Sequence, residues 1–149
     1  MIHTILEKKQ FSKDVFYLRV AAPEIARQRK AGQFVIIQLD IDYGERIPLT
    51  IADADPAAGW IALVVQAVGA TTIKLCQKEA GDSIAAILGP LGNPTHIAKV
   101  GKVVCVGGGI GTAPLHPIAQ AYKRAGNEVI IIIGGRTKEL VIFEEEMRK

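Results

Sequence analysis

A glycine-rich turn between an apolar run and a helical pattern constrains the fold more than any other feature. Val103 to Val106 is continuously apolar, and glycines follow at positions 107, 108, 109 and 111. From Pro114 to Ala125 apolar residues recur at helical spacing, and Gly126 supplies a C-terminal stop. A second apolar run spans Val129 to Ile133. This order predicts a strand, a helix and a parallel strand, with the first strand covered on both faces.

The glycines at the end of the first predicted strand favour a diphosphate ligand. They let the backbone approach such a group, and the amides and dipole of the following helix favour its charge. The pattern departs from G-x-G-x-x-G, because Pro114 stands where the third glycine counted from Gly109 is expected. A turn that only packs a helix tightly onto a strand is the alternative. Arg136 follows the second predicted strand. We interpret it either as a contact for an adenosine 2′-phosphate or as an arginine that is solvated or paired with a carboxylate.

The chain before residue 98 has a different pattern, in which short strands are separated by turn residues. This pattern predicts an antiparallel barrel or sandwich, interrupted by one helix over Thr71–Glu79. The predicted strands are Ile2–Gln10, Val15–Ala21, Gln33–Leu39, Ile47–Ala52, Trp60–Ala67 and Ser83–Leu88. We therefore predict a barrel domain over residues 1–98 and an incomplete α/β domain over residues 99–149, with a last helix over Lys138–Lys149. Two parallel strands are few for a stable sheet, so we expect further chain or a partner to complete it.

Composition and charge exclude several classes of protein. The 18 basic and 15 acidic residues give a net charge of +3 without a basic run, which argues against nucleic-acid binding. Cys76 and Cys105 lie in apolar surroundings and are predicted to be buried thiols of a reducing compartment; two cysteines alone do not hold an iron–sulfur cluster. The sequence has neither a signal-peptide pattern at its N-terminus nor an apolar run of the roughly 20 residues that span a bilayer. We predict a cytoplasmic protein that binds neither membrane nor nucleic acid.

Two further segments of the first half are candidate ligand contacts. Arg46 and Thr50 flank a strand start, where a guanidinium suits phosphate oxygens and a hydroxyl suits the edge of a flavin ring. Thr71 and Thr72 open the predicted helix after Gly69, where hydroxyls and amides suit a diphosphate. Each segment has an ordinary alternative, a surface arginine at a strand start or a threonine cap. The three histidines lack partners of the nucleophile–base type and are interpreted as structural or surface groups.

Taken in order, five segments resemble the ferredoxin–NADP reductase superfamily over essentially the whole chain. They are Gly32–Val35, Arg46–Thr50, Gly69–Thr72, Gly89–Pro94 and Val106–Pro114. Within that superfamily, residues 114–128 are most similar to the flavin subunits of NADH-dependent reduced ferredoxin:NADP oxidoreductase, also described as sulfide dehydrogenase subunits. The electron-transfer subunit of dihydroorotate dehydrogenase is the near alternative. The family's common R-x-x-S/T spacing places arginine at position 47, where this chain has Ile47 and carries Arg46 one place earlier.

The resemblance implies an all-β antiparallel Greek-key flavin barrel followed by a truncated, Rossmann-like α/β domain. It implies FAD and NAD(P) as cofactors, with a [2Fe-2S] cluster only in a C-terminal part beyond this chain. It implies a larger flavin and iron–sulfur subunit as partner, with ferredoxin as a further candidate. Residues that the motifs and the resemblance assign to the flavin are Arg46, Pro48, Leu49, Thr50, Val64, Val65, Gln66, Thr71 and Thr72. Those assigned to the nucleotide are Gly107, Gly108, Gly109, Ile110, Gly111, Thr112, Pro114 and Arg136.

The implied activity is an FAD-dependent electron transfer between NAD(P)H and an iron–sulfur partner. Hydride transfer between two cofactors needs no side-chain acid, so we assign neither a catalytic residue nor a metal ligand. The choice between NAD and NADP stays open, as does a second reading in which this chain is a flavin-carrying or interaction module without activity of its own.

Overall fold

The structure is a computed structural model that describes residues 2–149. Within those residues the strands are β1 His3–Ser12, β2 Val15–Ala21, β3 Phe34–Gln38, β4 Arg46–Asp55, β5 Trp60–Gln66, β6 Ser83–Ile84, β7 Ala86–Leu91, β8 Lys102–Gly108 and β9 Glu128–Gly134. The α-helices are α1 Pro23–Gln28, α2 Ala70–Gln77, α3 Thr112–Arg124 and α4 Glu144–Met147. None of these helices has the length and apolarity needed to cross a bilayer.

The first seven strands form one antiparallel sheet that closes on itself. Its order is β6-β1-β2-β5-β4-β3-β7, so the jump from β2 to β5 gives a Greek-key connection. Strands β6 and β7 lie at opposite edges, yet only Ala85 separates them in the chain. Because β6 pairs with β1 and β7 pairs with β3, this interrupted segment joins both edges into a barrel. The prediction of a six-stranded antiparallel barrel is confirmed, with its sixth strand split where it passes from one edge to the other.

Alternation of side chains along the strands fills the barrel. On β5, Ile61, Leu63 and Val65 point into the main core and are fully buried. Ala62 and Val64 point outward, and they are also buried because α3 packs on that outer face. Strand β5 is therefore apolar without interruption, as expected for a strand covered on both sides.

One helix of the barrel half does not follow from the sequence pattern. We predict a single helix there, over Thr71–Glu79, and the structure has α2 at Ala70–Gln77 together with α1 at Pro23–Gln28. Proline at the start of α1 presets the backbone for a first turn, and Ile25 and Ala26 bury against the barrel. Six residues are too few for helical periodicity to be visible, which is why the prediction missed this element.

The second sheet consists of β8 and β9, which pair in parallel from Lys102 opposite Glu128 to Gly108 opposite Gly134. Helix α3 joins them and covers one face, where Cys105 is buried. These elements confirm the predicted strand, helix and parallel strand, each slightly longer than predicted.

The opposite face of this small sheet is open. Val104 and Val106 on β8 are 55% and 68% exposed, and Ile130 and Ile132 on β9 are 40% and 54% exposed. The prediction that the first parallel strand is covered on both faces is therefore wrong for the described residues. An apolar run indicates that both faces of a strand are suited to burial, but burial requires other elements to pack on those faces. Helix α3 packs on only one of them.

The predicted helix over Lys138–Lys149 is also wrong as a continuous element. The chain forms a 3-10 turn at Lys138–Leu140 and then runs extended to Ile142 before α4 begins. Phe143 has a φ of 65°, in the left-handed region that interrupts a helix. Its side chain and that of Ile142 are only 2% and 4% exposed, so their burial against the barrel takes precedence over helical continuity.

Phe143 packs into an aromatic cluster that ties this segment to the barrel and to α3. Its ring lies edge-on to Phe11 at 5.3 Å between centroids, and 5.0 Å from the ring of His116 on α3. His116 is buried, and its Nδ1 lies 2.9 Å from the carbonyl oxygen of Ala52 on β4. The helix that follows the glycine turn is thus held against the outer face of the barrel, as predicted for a structural histidine.

Candidate functional site

The glycine turn connects the end of β8 to the start of α3. A 3-10 turn at Gly109–Gly111 makes the connection, and Gly109 has a φ of 55°, a left-handed conformation that glycine adopts without steric cost. The first amides of α3 have no intrahelical acceptor, and they carry the positive end of the helix dipole. The local structure is therefore the one that the sequence predicts for an anion-binding turn.

The space around the glycines separates two roles. A Cβ at Gly107 would lie 2.8 Å from Leu115 Cδ2 and 3.2 Å from Thr112 Cα, so this glycine permits close packing of helix on strand. A Cβ at Gly108, Gly109 or Gly111 would meet no atom within 4 Å. Internal packing does not explain these three glycines, and their bare backbone faces open space. The purely structural alternative accounts for Gly107 by packing and for Gly109 by its left-handed φ, and it leaves Gly108 and Gly111 unexplained.

A cavity of about 580 Å³ lies beside this turn and is called here the glycine-turn cavity. It is at the carboxyl ends of β8 and β9, which is where ligands of open α/β sheets bind. Five predicted site residues line it together, from both halves of the chain: Gln66, Gly108, Gly109, Ile110 and Arg136. The structure thus joins the end of barrel strand β5 to the predicted nucleotide turn in one hollow.

Three other predicted residues of the turn have different surroundings. The side chain of Thr112 is 1% exposed, so only its backbone is available at the helix start. Its Oγ1 has no hydrogen-bond partner among the described residues. Pro114 is half-buried in the first turn of α3, where its missing N–H costs nothing. Gly111 is exposed and lies outside the cavity lining.

Arg136 follows β9 and is exposed. Within residues 2–149 no carboxylate lies within 4 Å of its guanidinium. The carboxylate-paired alternative is therefore not what the structure has, and the side chain is available to a ligand in the glycine-turn cavity.

Strand β4 presents its predicted flavin residues on alternating faces. Arg46 and Pro48 are exposed, and Thr50 shares their outward face by the two-residue period of a strand. Leu49 points the other way and packs against the main core. A flavin ring on the outer face would therefore meet the side chains of Pro48 and Thr50 but only the backbone of Leu49.

The start of α2 lies next to the start of β4. The Thr71 hydroxyl donates a hydrogen bond of 2.5 Å to Oε2 of Glu45, the residue before Arg46. Thr72 Oγ1 accepts from the amides of Val68 and Gly69 and donates to the carbonyl of Gly69. Its hydroxyl is thus fully used as a cap, which is the ordinary alternative, and its backbone amide is what remains for a ligand.

The three predicted residues of β5 also divide between interior and surface. Val65 is fully buried in the main core, and Val64 is 7% exposed beneath α3. Gln66 is exposed and lines the glycine-turn cavity. Cys76 on α2 lies behind this strand, with Sγ 4.0 Å from the Val65 carbonyl oxygen, and burial raises the pKa of its thiol. The thiol is therefore neutral and inert at neutral pH.

The predicted flavin residues of β4 and α2 and the residues that line the glycine-turn cavity lie on neighbouring parts of the barrel surface. The glycine-turn cavity itself is not lined by Arg46, Pro48, Thr50, Thr71 or Thr72. Gly69, which begins the turn into α2, is three residues beyond Gln66, a chain length of at most about 11 Å. Along β4, Thr50 precedes by two residues the carbonyl that His116 contacts. The β5–α2 connection therefore links the α2 start to a residue that lines the glycine-turn cavity.

Glu45 is a site residue that the sequence did not single out. It stands beside Arg46 in the chain, but its bond to Thr71 spans 26 residues. A carboxylate next to a candidate phosphate contact is the only signal in the sequence, and that signal is too general to assign a role.

Comparison with protein-family models gave no match. Among curated proteins, the chain is 43% identical over 148 residues to a dihydroorotate dehydrogenase B (NAD(+)) electron transfer subunit homolog of Thermotoga maritima, covering 99% of this chain and 52% of that protein. It is 32% identical over 148 residues to the corresponding electron transfer subunit of Bacillus caldolyticus, covering 96% and 57%. The chain spans about half the length of the curated relatives it matches.

Solved structures agree with these relatives. A structure of NADH-dependent reduced ferredoxin-NADP oxidoreductase superposes with a TM-score of 0.93 at 44% identity, over 97% of this chain and 52% of that one. Phthalate dioxygenase reductase superposes with a TM-score of 0.81 at 17% identity, over 100% and 48%, and shares the fold. The predicted barrel with a partial α/β unit is therefore a known arrangement.

Proposed function

Since the chain belongs to the ferredoxin–NADP reductase superfamily, we propose that it is the FAD-binding and nucleotide-binding portion of an electron-transfer reductase subunit. The whole subunit would move electrons between NAD(P)H and FAD and on to an iron–sulfur partner. The observation that carries this proposal is the glycine-turn cavity, in which the end of a barrel strand meets the turn of the α/β unit. Residues 1–98 would form the flavin domain, and residues 99–149 would begin the nucleotide domain.

The nucleotide would bind at the glycine turn. The open space at Gly108 and Gly109 admits a diphosphate against the backbone, and the α3 amides donate to its oxygens. Arg136 lies in the same cavity and has no carboxylate partner among residues 2–149, so it is available to a phosphate or ribose. If the Arg136 side chain reaches a 2′-phosphate, the preferred nucleotide is NADP. If it does not, the preferred nucleotide is NAD.

The flavin would lie along the outward side chains at the start of β4 and the end of β5. Pro48 and Thr50 would contact the ring, with the Thr50 hydroxyl offered to its polar edge. Arg46 and the amides at the start of α2 would hold the diphosphate, with Thr71 contributing its hydroxyl. Gln66, at the end of β5, would stand between the two cofactors.

The protein's contribution to the chemistry is positioning. FAD, when bound, supplies hydride transfer and single-electron transfer, which no side chain here could perform. The chain holds the reacting partners on adjacent surfaces, and the apolar packing of α3 on Ala52 and Val64 keeps water out from beneath them. A larger flavin and iron–sulfur subunit is the proposed electron partner, in the cytoplasm, with the [2Fe-2S] cluster beyond residue 149.

Two narrower roles follow from the same site. In the first role, the final electron exchange is with dihydroorotate. The relatives named as dihydroorotate dehydrogenase electron transfer subunits favour this role. The other role is a flavin carrier, in which the chain holds FAD but does not react with a nucleotide. The glycine-turn cavity favours reaction over carriage, because a carrier needs no second nucleotide site.

The experiment is flavin reconstitution followed by reduction. The purified chain is incubated with FAD and desalted, its visible flavin absorbance is recorded, and NADH or NADPH is added without oxygen. We expect retained flavin whose absorbance is bleached by one nucleotide in preference to the other. Thr50→Val should slow bleaching, while Thr4→Val, a matched change on β1, should leave it unaltered.

Each outcome separates the readings. Flavin that is retained but not bleached by either nucleotide would support the carrier. A folded chain that never retains FAD would contradict both roles.

A further inference from the structure

A second cavity of about 580 Å³ lies where α3 approaches the segment after α1, the end of β4 and residues 94–97. We call it the basic cavity, because its lining includes Arg27, Arg29, Lys30 and Arg124 and contains neither aspartate nor glutamate. It shares no lining residue with the glycine-turn cavity. The proposed flavin and nucleotide sites leave it without a role.

Most of the cations in this cavity have no carboxylate in direct contact. Arg27 pairs with Glu24 on α1. Within residues 2–149, no carboxylate oxygen lies within 4 Å of the side-chain nitrogens of Arg29, Lys30 or Arg124. A bound anion would reduce the electrostatic repulsion among these three cations.

Arg29 and Arg124 approach the hollow from different elements. Arg29 is half-buried after α1, and Arg124 lies in the last turn of α3. Burial lowers the pKa of Arg29; Asp53 acts in the opposite direction, and the Arg124 charge adds to the lowering. The two guanidiniums carry like charges, which repel each other across the cavity.

The other walls leave these donors accessible. Ala31, Ala54 and Pro117 carry side chains that neither fill the hollow nor accept hydrogen bonds from the guanidiniums. The rest of the lining includes the larger or polar side chains of Thr95, His96 and Ile97. An apolar wall beside a charge also reduces the screening of that charge by water.

Hydrogen bonds hold the walls in fixed positions. The amide of Thr95 donates to the carbonyl of Ala31 at 2.9 Å, which ties the connecting segment to the barrel. The Tyr122 hydroxyl donates to the His96 carbonyl at 3.2 Å, which ties the same segment to α3. The cations therefore project from elements that are already joined, so little ordering is needed when a ligand binds.

We propose that the basic cavity binds a small phosphate-bearing anion with at least two negative charges, held between Arg29 and Arg124. Guanidinium groups bind phosphate oxygens through paired N–H donors. A tetrahedral phosphate can accept such pairs from two directions at once, whereas a carboxylate offers its two oxygens in one plane. This inference does not depend on the flavin or nucleotide sites, because no residue is shared with them.

The test uses inorganic pyrophosphate as the probe and the 149-residue chain, with binding followed by calorimetry and by thermal denaturation. We expect saturable binding that weakens as salt is added. Arg124→Gln should weaken it at least about tenfold, equivalent to about 1.4 kcal/mol. Arg29→Lys keeps the charge but removes the paired donors, and it should weaken binding as well. Arg148→Gln, at an exposed arginine outside the cavity, is the matched control and should change nothing.

A fourth variant, Arg136→Gln, locates the ion. If this variant abolishes pyrophosphate binding while Arg29→Lys and Arg124→Gln preserve it, the ion occupies the glycine turn and the inference is overturned. Absence of saturable binding overturns it too. Citrate that binds as tightly as pyrophosphate at equal ionic strength overturns the assignment to phosphate. Loss confined to the two cavity variants supports the inference, whatever the flavin experiment shows.

Discussion

Gly108→Ala should separate protein stability from nucleotide affinity. Gly108 has φ −126° and ψ 137°, which any residue adopts, and an added Cβ would meet no atom within 4 Å. Alanine in a strand is favoured over glycine by about 0.5–1 kcal/mol. At about 2–4 °C per kcal/mol for a chain of this size, Tm should rise by about 1–4 °C.

The same methyl group should obstruct a diphosphate that approaches the turn. Overpacking costs about 1–3 kcal/mol, so nucleotide affinity should fall about 5- to 150-fold. Thermal denaturation measures the first effect, and titration with NADH and NADPH followed by fluorescence measures the second. Gly107→Ala is the contrasting variant: its Cβ would lie 2.8 Å from Leu115 Cδ2, so it should lower Tm through a steric clash between strand and helix.

The two glycine variants also define what would refute this reasoning. If Gly108→Ala lowered Tm as much as Gly107→Ala, the space beside Gly108 would not be open. If Gly108→Ala left both Tm and nucleotide affinity unchanged, nucleotide would not approach the backbone there.

Three further changes test other contacts. Glu45→Gln should raise FAD affinity several-fold in a flavin-retention titration, because it removes a charge that repels a diphosphate and leaves a weaker acceptor for the Thr71 hydroxyl; a fall would contradict this. His116→Leu should cost about 1–3 kcal/mol in urea unfolding, since the Ala52 carbonyl loses its buried partner; an unchanged midpoint would refute it. Burial raises the pKa of both cysteine thiols in the folded chain. The contribution of the neutral thiols to the free energy of unfolding is therefore fully present below pH about 8.5, and it is lost as pH rises through the raised pKa values. Labelling with a thiol reagent should be slow at pH 8 until denaturant is added, and rapid labelling of the folded chain would count against their burial.

The barrel and the βαβ unit could be predicted because their signals are local. Strand β2 matches its predicted bounds, since alternation and flanking turns are visible in the sequence itself. The glycine turn could be placed for the same reason, as a strand, glycines and a helical period follow one another within 23 residues.

The features that escaped prediction depend on contacts between distant parts of the chain. Phe143 breaks the last helix because its ring is buried against Phe11 and His116, which no local pattern reveals. Thr112 was assigned a ligand role from its place in the motif, yet the packing of Gly107 on α3 turns its side chain inward. The Glu45 contact and the basic cavity arise only when segments 20 or more residues apart are brought together.

The open face of β8 and β9 determines how the isolated chain should be handled. Four large aliphatic side chains there are at least 40% exposed beside unpaired strand edges, so molecules can adhere to one another through this surface. Such adhesion weakens on cooling and strengthens in sulfate salts. Preparations should therefore stay monodisperse best when kept cold and dilute, and ammonium sulfate will precipitate them readily.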